Sequence, residues 1–124
     1  MQTGVGGGFH YGGRRFPVRS NSANGDAQAS TGFEYHQSGN LVWATYQGGG
    51  VVFGTLIAAV DQGGVLDMRY QHLNRAGEFR SGKCRSVPER LADGRLRLHE
   101  SWQWTDGDRS RGTSVIEEID SGPA

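Results

Sequence analysis

Cysteine, net charge and long apolar runs are all scarce in this 124-residue chain, and each scarcity excludes a class of protein. The single cysteine, Cys84, excludes an intramolecular disulfide and a zinc site built from several cysteines. Basic and acidic residues number 13 each, so the chain lacks the basic excess of a nucleic-acid-binding protein. Its longest apolar run, Val51–Val60, is far shorter than the ~18–20 residues of a membrane-spanning helix. We therefore expect no nucleic-acid partner and no membrane partner.

Signals for export and for helix formation are missing as well. The first residues lack the charged-then-apolar pattern of a secretory signal, so we expect a soluble cytoplasmic protein. No segment has the 3.6-residue apolar period of an amphipathic helix, and at most one short helical turn fits residues 87–93. Glycine, by contrast, is abundant: 21 residues fall mainly between alternating segments, as in proteins with many tight turns. The sequence thus predicts an all-β fold.

Eight extended segments are separated by turn residues. Asn24-Gly25 is typical of a two-residue hairpin turn. Pro17 places the first segment at a strand end or an unpaired edge, and Pro88 is expected to end the sixth. The segments predicted as strands are residues 14–20, 26–36, 41–47, 51–60, 65–73, 78–87, 95–104 and 111–119.

Short strands in this even spacing are typical of an antiparallel up-and-down meander. Closing the first strand onto the eighth removes two unpaired edges, and eight strands enclose room for side chains or one small ligand. We therefore predict a small eight-stranded barrel, with a two-sheet sandwich as the alternative. Residues 13–120 would form this single domain, between a flexible glycine-rich segment at 1–12 and a tail at 121–124.

The seventh predicted strand carries the clearest alternation. From residue 95 to residue 104, every odd-numbered position is polar. The even-numbered positions hold Leu96, Leu98, Glu100, Trp102 and Trp104. A period of two indicates a strand with one wet face and one dry face, so a carboxylate is expected among aromatic rings. A face assignment shifted by one residue would instead turn Arg97 and His99 inward.

If the dry faces of all strands point inward, aromatic and apolar side chains line the lumen. The residues expected there are Phe33, Tyr35, Trp43, Met68, Tyr70, His72, Leu96, Leu98, Glu100, Trp102 and Trp104. Aromatic walls with a few polar tips are typical of a small-molecule pocket, although the same side chains could simply fill the barrel. The residues predicted to bind a ligand are Tyr35, Trp43, Met68, Tyr70, Glu100, Trp102 and Trp104.

Glu100 is the best single indication of function. A carboxylate among apolar residues must be paired, protonated or in contact with water, because burying it bare costs several kcal/mol. Its pKa should be raised, so Glu100 could act as a general acid or base, with Tyr70 or His72 as further catalytic residues. The structural alternative is a buried ion pair, for instance with Arg80, that fixes the strand register.

Metal and nucleophile signatures are weak. The four histidines form no short-range metal-binding pair, and His72 with Glu100 would supply only two ligands. Cys84 has no signature of an activated thiolate, and the nucleophile-elbow pattern Gly-x-Ser-x-Gly does not occur. We therefore expect no metal site and no cofactor.

Several stretches of this sequence resemble a group of small bacterial proteins. These stretches are Ser20–Gly25, Leu66–Tyr70, Gly82–Cys84, Leu96–Thr105 and Ser114–Ile119. The resemblance covers roughly residues 11–119 and implies a calycin-like or avidin-like barrel. Many members of the group carry the name N-acetylglutamate synthase. Acetyl transfer from acetyl-coenzyme A needs a pyrophosphate cradle, usually backbone amides ahead of a helix. The sequence predicts no such helix, so we do not expect this activity.

The aromatic lining favours a barrel that binds a small apolar or aromatic molecule without changing it. Glu100 keeps open the alternative of a small barrel enzyme, a cyclase, isomerase or lyase that acts by proton transfer. Bacterial barrels of this size serve as cyclases in secondary metabolism, which is an analogy of fold alone. The strand Val51–Val60 is apolar on both faces, which suggests a homodimer or higher homo-oligomer under either function.

Overall fold

The computed structural model describes residues 9–119, and every regular element in that range is a β-strand. The eight strands are β1 (Arg15–Asn21), β2 (Gly32–Ser38), β3 (Leu41–Gly48), β4 (Val51–Val60), β5 (Leu66–Asn74), β6 (Phe79–Arg90), β7 (Leu96–Trp104) and β8 (Arg111–Glu117). Each strand is antiparallel to its neighbours in the chain, and β8 pairs back onto β1. The predicted closed eight-stranded barrel is therefore confirmed.

The meander gives the barrel two different ends. The hairpins β2–β3, β4–β5 and β6–β7 lie at one end, which we name the closed end, together with residues 9–14 that lead into β1. The opposite end, which we name the mouth, carries the other connections. The longest of these is residues 22–31 between β1 and β2, which we name the mouth loop.

The closed end is sealed by Tyr11. Its side chain is fully buried, its hydroxyl donates a hydrogen bond to the carbonyl of Gly64, and its backbone N–H donates to Gln37 Oε1 at 2.8 Å. Residues 9–12, which fall in the segment expected to be flexible, include this buried side chain. The ring of Tyr11 therefore packs onto the barrel although its neighbours are rich in glycine. Residues 1–8 and 120–124, including the predicted tail, lie outside the described residues.

The mouth loop replaces the start of the second predicted strand. That strand was expected over residues 26–36, with a two-residue turn at Asn24-Gly25, but β2 begins only at Gly32. Thr31 explains the difference, because its hydroxyl accepts a hydrogen bond from the N–H of Gln28 and donates one to the carbonyl of Gly48. These side-chain bonds hold a local turn in place of ladder pairing.

The sixth strand also differs from its prediction. Pro88 does not end β6, which continues to Arg90, and residues 87–93 contain no helical turn. Pairing with β5 stops at Ser86, so the last residues of β6 pair with β7 alone. Proline is tolerated there because this part of the strand has one free edge and no second ladder to interrupt.

Apolar side chains fill the barrel interior and also remain on part of its outside. The outer apolar residues Leu41, Trp43 and Ile57 lie together on β3 and β4, with Trp43 directly opposite Ile57 in the ladder. We name this group the β3–β4 patch. Ile57 is 61% exposed, so the outward face of β4, expected to be covered, is bare in a single chain.

Candidate functional site

Strand β7 arranges the lumen in layers from the closed end to the mouth. Leu96 and Leu98 are fully buried and form an apolar base. Glu100 follows in the middle of the strand, and Trp102 and Trp104 follow toward the mouth, each nearly buried. The predicted inward face of β7 is therefore the observed one, while Arg97 and His99 point outward. Because successive side chains of a strand point to opposite faces, the even-numbered residues of β7 all share the inward face.

The carboxylate of Glu100 lies between two serine hydroxyls. Ser86 on β6 and Ser114 on β8 are directly opposite Glu100 in the two ladders that flank β7. The Ser114 hydroxyl donates a hydrogen bond to Glu100 Oε1 at 2.9 Å, and the Ser86 hydroxyl donates to Oε2 at 3.3 Å. Each carboxylate oxygen thus accepts one neutral donor and keeps a second lone pair.

No lysine or arginine lines the cavity with Glu100 among the described residues. Its side chain is 9% exposed, and burial raises its pKa to about 7, although the bonds from Ser114 and Ser86 oppose the shift. The suggested ion pair with Arg80 does not form. Arg80 instead pairs with Asp106 at 3.0 Å and stacks over the Trp104 ring, 3.9 Å from the ring centre.

Tyr70 and His72, the other two candidate catalytic residues, line the same cavity as Glu100. Both ring nitrogens of His72 are engaged: Nδ1 lies 2.9 Å from the Tyr46 hydroxyl and Nε2 lies 2.9 Å from Asp26. Burial raises the pKa of the Tyr70 hydroxyl above its usual value, which keeps that group neutral. The cavity therefore contains a carboxyl group, Glu100, whose pKa is near neutrality, and a hydrogen-bonded imidazole, His72.

Aromatic rings form the wall between Glu100 and the mouth. Trp104 meets Trp102, Tyr70 and His72 edge to face, with ring centres 5.5, 5.8 and 5.7 Å apart. Gly112 makes room for this cluster, because a Cβ atom at that position would collide with the Trp102 ring. The glycine on β8 thus allows an indole to lie flat against the neighbouring backbone.

The rings border a partly open cavity of about 60 Å³. Its lining includes most of the residues predicted for the lumen: Phe33, Met68, Tyr70, His72, Glu100, Trp102 and Trp104. Tyr35 is buried but packs against Phe16, with ring centres 4.9 Å apart, and does not line the cavity. Its hydroxyl is buried without a hydrogen-bond partner. The cavity therefore lies on the mouth side of a filled barrel base.

The prediction that Trp43 lines the lumen is wrong. Trp43 is 37% exposed on the outside of β3, where its ring stacks on His36 with the ring centres 5.5 Å apart. The inward positions of β3 are taken by Val42, Ala44 and Tyr46, all of them buried. Because strand residues alternate, the opposite face of β3 must carry Trp43 outward.

The end of β1 and the mouth loop contribute site residues that the sequence did not single out. Trp102 Nε1 donates a hydrogen bond to Oδ1 of Asn21, the last residue of β1, at 3.0 Å, and Trp104 Nε1 donates to the carbonyl of Asn24 in the loop at 3.1 Å. Asp26 also lines the cavity, and its carboxylate lies within hydrogen-bond distance of the His72 ring. Asn, Asp and Gly in one loop signal a turn, but nothing in the sequence links that turn to tryptophans some 80 residues away.

Cys84 also lines the cavity, next to Trp102 in the β6–β7 ladder. Burial, together with the nearby carboxylate of Glu100, raises the pKa of its thiol, so it is an inert apolar group. Across residues 9–119 we find no group of three or more His, Cys, Asp or Glu side chains that could hold a metal ion. The same range contains no helix of the length and hydropathy that spanning a membrane requires.

Comparison with known proteins identifies one family. The family model described as avidin-like protein matches residues 9–119. This range is the whole of the described barrel, from the Tyr11 segment through β8, and so includes every residue that lines the cavity. No curated protein and no solved structure matches the chain significantly.

The raised pKa of Glu100 predicts a pH-dependent stability. The folded protein keeps the Glu100 proton up to about pH 7, whereas the unfolded chain loses it near pH 4.5. The folded state therefore binds the extra proton between these values, so its free energy of unfolding falls as the pH rises. The Glu100→Gln variant does not titrate, and we expect it to gain about 3 kcal/mol relative to wild type between pH 4.5 and pH 8.

Urea unfolding of both proteins across this pH range measures the difference. The exposed Glu34 on β2 offers a matched control, since Glu34→Gln removes a carboxylate from the outer surface. Its pH profile should run parallel to that of wild type. If the stability of Glu100→Gln changed with pH in the same way as that of wild type, the raised pKa of a buried, unpaired Glu100 carboxylate would be contradicted.

Proposed function

The chain belongs to the avidin-like protein family, and from this membership and the geometry of the lumen we propose that it binds a small apolar or aromatic molecule inside the barrel. The observation that carries the proposal is the cavity beside Glu100, walled by Trp102, Trp104 and Tyr70. Concave sites with apolar walls and a few polar groups are where proteins bind small molecules. Protein interiors leave few voids larger than a water molecule, so a space of about 60 Å³ supports a binding role over simple filling.

The size of the cavity bounds the ligand. A single water needs roughly 10–15 Å³ by this kind of measure, so about 60 Å³ holds a compound of only a few heavy atoms. A larger ligand requires the mouth loop to move away, because Asn21, Asp26 and Ala27 border the same space. We propose that ligands reach the lumen through the mouth, since Tyr11 seals the opposite end.

An enzyme is the alternative function, and one observation favours it. A general acid or base works best with a pKa near the operating pH, and the pKa of Glu100 is about 7. In this alternative Glu100 transfers a proton to or from a substrate held against Tyr70, while His72 donates or accepts a hydrogen bond. The reaction would be an isomerisation, cyclisation or elimination.

We further propose that the protein self-associates through the β3–β4 patch. Leu41, Trp43 and Ile57 form a contiguous apolar surface that a single chain leaves exposed to water. Surfaces of this kind on folded proteins commonly mark an interface. The patch lies on the outer wall of the barrel, so self-association and ligand binding are compatible.

Ligand binding should change the fluorescence of the lumen tryptophans. We excite tryptophan selectively over tyrosine. Titration with small probes such as benzene, phenol and imidazole should then quench or shift the part of the emission that comes from Trp102 and Trp104. The Trp43→Phe variant is the matched control, because it removes the one exposed indole and should keep the response. If none of the probes changes the signal and none shifts the amide resonances of lumen residues, the binding proposal is wrong.

Chemical conversion of a bound compound would distinguish the enzymatic alternative from simple binding. A compound found by this titration should be converted by wild-type protein under the enzymatic alternative. The Glu100→Gln variant should bind it and convert it at least about a hundredfold more slowly. Mass spectrometry of the recovered compound measures the conversion. Recovery of unchanged compound from wild type would remove the enzymatic alternative.

Self-association should depend on the β3–β4 patch. We expect light scattering of wild type to give a dimer or larger assembly, and Ile57→Glu to give a monomer, because the buried carboxylate would be unpaired. Phe79→Glu is the control, since Phe79 is 82% exposed at the start of β6, outside the patch. A monomeric wild type at high concentration would end this proposal.

A further inference from the structure

The charges that line the cavity are acidic. Glu100 lies in the middle of the lumen and Asp26 lies at the mouth, while the described residues of the lining include no lysine or arginine. His72 is the one basic side chain there, and it bonds to Asp26 at 2.9 Å. With His72 bonded to Asp26, an ionised Glu100 has no cationic side chain of its own in the cavity lining.

This carboxylate is solvated less completely than a carboxylate in water. Ser86 and Ser114 donate one hydrogen bond each, and one of these bonds is long, at 3.3 Å. An ionised carboxylate accepts up to about four hydrogen bonds, so two sites on Glu100 remain for donors from a ligand. A charged donor would fill them with the strongest bonds, because hydrogen bonds between ions are roughly twice as strong as neutral ones.

The aromatic walls favour the same charge. The faces of Trp, Tyr and Phe rings carry a negative quadrupole that attracts a cation within about 6 Å. Trp102, Trp104, Tyr46, Tyr70 and Phe33 all line the cavity that Glu100 borders. The protein already uses this attraction at the rim, where the Arg80 guanidinium stacks on Trp104. An anionic ligand, in contrast, would meet both the carboxylate and the ring faces unfavourably.

We propose that the lumen selects a small organic cation, of the amidinium or primary ammonium class, whose N–H groups pair with Glu100 while its apolar part lies against Trp102 and Trp104. This inference rests on the proposed binding function and names the chemical class of its ligand. An amidinium group suits the site well, because its two N–H groups can reach both carboxylate oxygens at once.

The proposal has a pH dependence whose sign is fixed by Glu100. Two titratable groups that line the cavity with it, His72 and Asp26, are bonded to each other. The others that act on it from the surrounding strands and the closed end are Tyr11, Tyr35, Tyr46, Tyr70 and Cys84. Burial raises the pKa of these four hydroxyls and the thiol, so they stay neutral where Glu100 titrates. Cation binding should therefore strengthen as the pH rises through about 7, and binding below that pH should release a proton.

The test compares cations with neutral molecules of the same shape. Acetamidinium is paired with acetamide, and benzamidinium with benzamide, each titrated by ligand-observed NMR at about pH 8 and about pH 5.5. We expect wild type at the higher pH to bind the cation of a pair at least tenfold more tightly than the amide. At the lower pH the preference should shrink by up to about thirtyfold, because only about 3% of Glu100 is then ionised.

Two variants assign the preference to Glu100. The Glu100→Gln variant should lose it and still bind the amides, whereas the control Glu34→Gln should behave as wild type. Equal binding of cation and amide by wild type, or a preference that survives in Glu100→Gln, overturns the proposed class and leaves small-molecule binding standing. The class also fails if neither pair binds while benzene, phenol or imidazole does. Failure of all these probes overturns the binding function itself.

Discussion

The pairing of β8 with β1 is the constraint on which the rest of the molecule depends. Without it, the meander would be an open sheet with one face in water, and Glu100 would be an ordinary surface carboxylate. Closure turns the alternate side chains of all eight strands into the walls of one enclosed space. The loss of water there raises the pKa of Glu100 and makes the hydroxyls of Ser86 and Ser114 its nearest partners. The chemistry of the site thus follows from the topology of the sheet.

The lumen tryptophans have two roles that use different parts of the ring. Their indole N–H groups bond to Asn21 and Asn24, at or beside the mouth loop, so the polar tips are already satisfied within the protein. Both rings also line the cavity, to which they offer apolar area and a negative quadrupole. The indoles therefore offer the cavity aromatic surface without a free N–H donor, while Glu100 keeps two unused acceptor sites there.

The sequence was most informative where its alternation was unambiguous. In β7 the polar and apolar positions separate cleanly, so the inward placement of Glu100, Trp102 and Trp104 could be predicted. In β3 both faces are largely apolar, and a period of two does not say which face is inside; Trp43 was placed wrongly for that reason. The mouth loop could not be predicted at all, because its position depends on hydrogen bonds between residues 80 or more positions apart. A local sequence pattern can indicate a turn, but it cannot show which distant residues that turn will contact.

Two buried glutamates on neighbouring strands differ in their partners. The comparison shows that Glu100 lacks an arginine because of its place in the lumen, since the chain has arginines to offer. Glu117 on β8 faces outward beneath Arg97, Arg95 and Arg19, at 2.9, 3.2 and 3.9 Å, and these arginines hold its pKa below the usual value. Glu100 on β7 is buried to a similar degree inside the barrel, yet it has only hydroxyl partners and its pKa moves in the opposite direction. Arginine is plentiful in this chain, and a pair such as that of Glu117 would have offset the cost of burial. A barrel selected for stability alone would place leucine at position 100, as it does at 96 and 98. The carboxylate therefore costs folding free energy that a bound, positively charged ligand would restore.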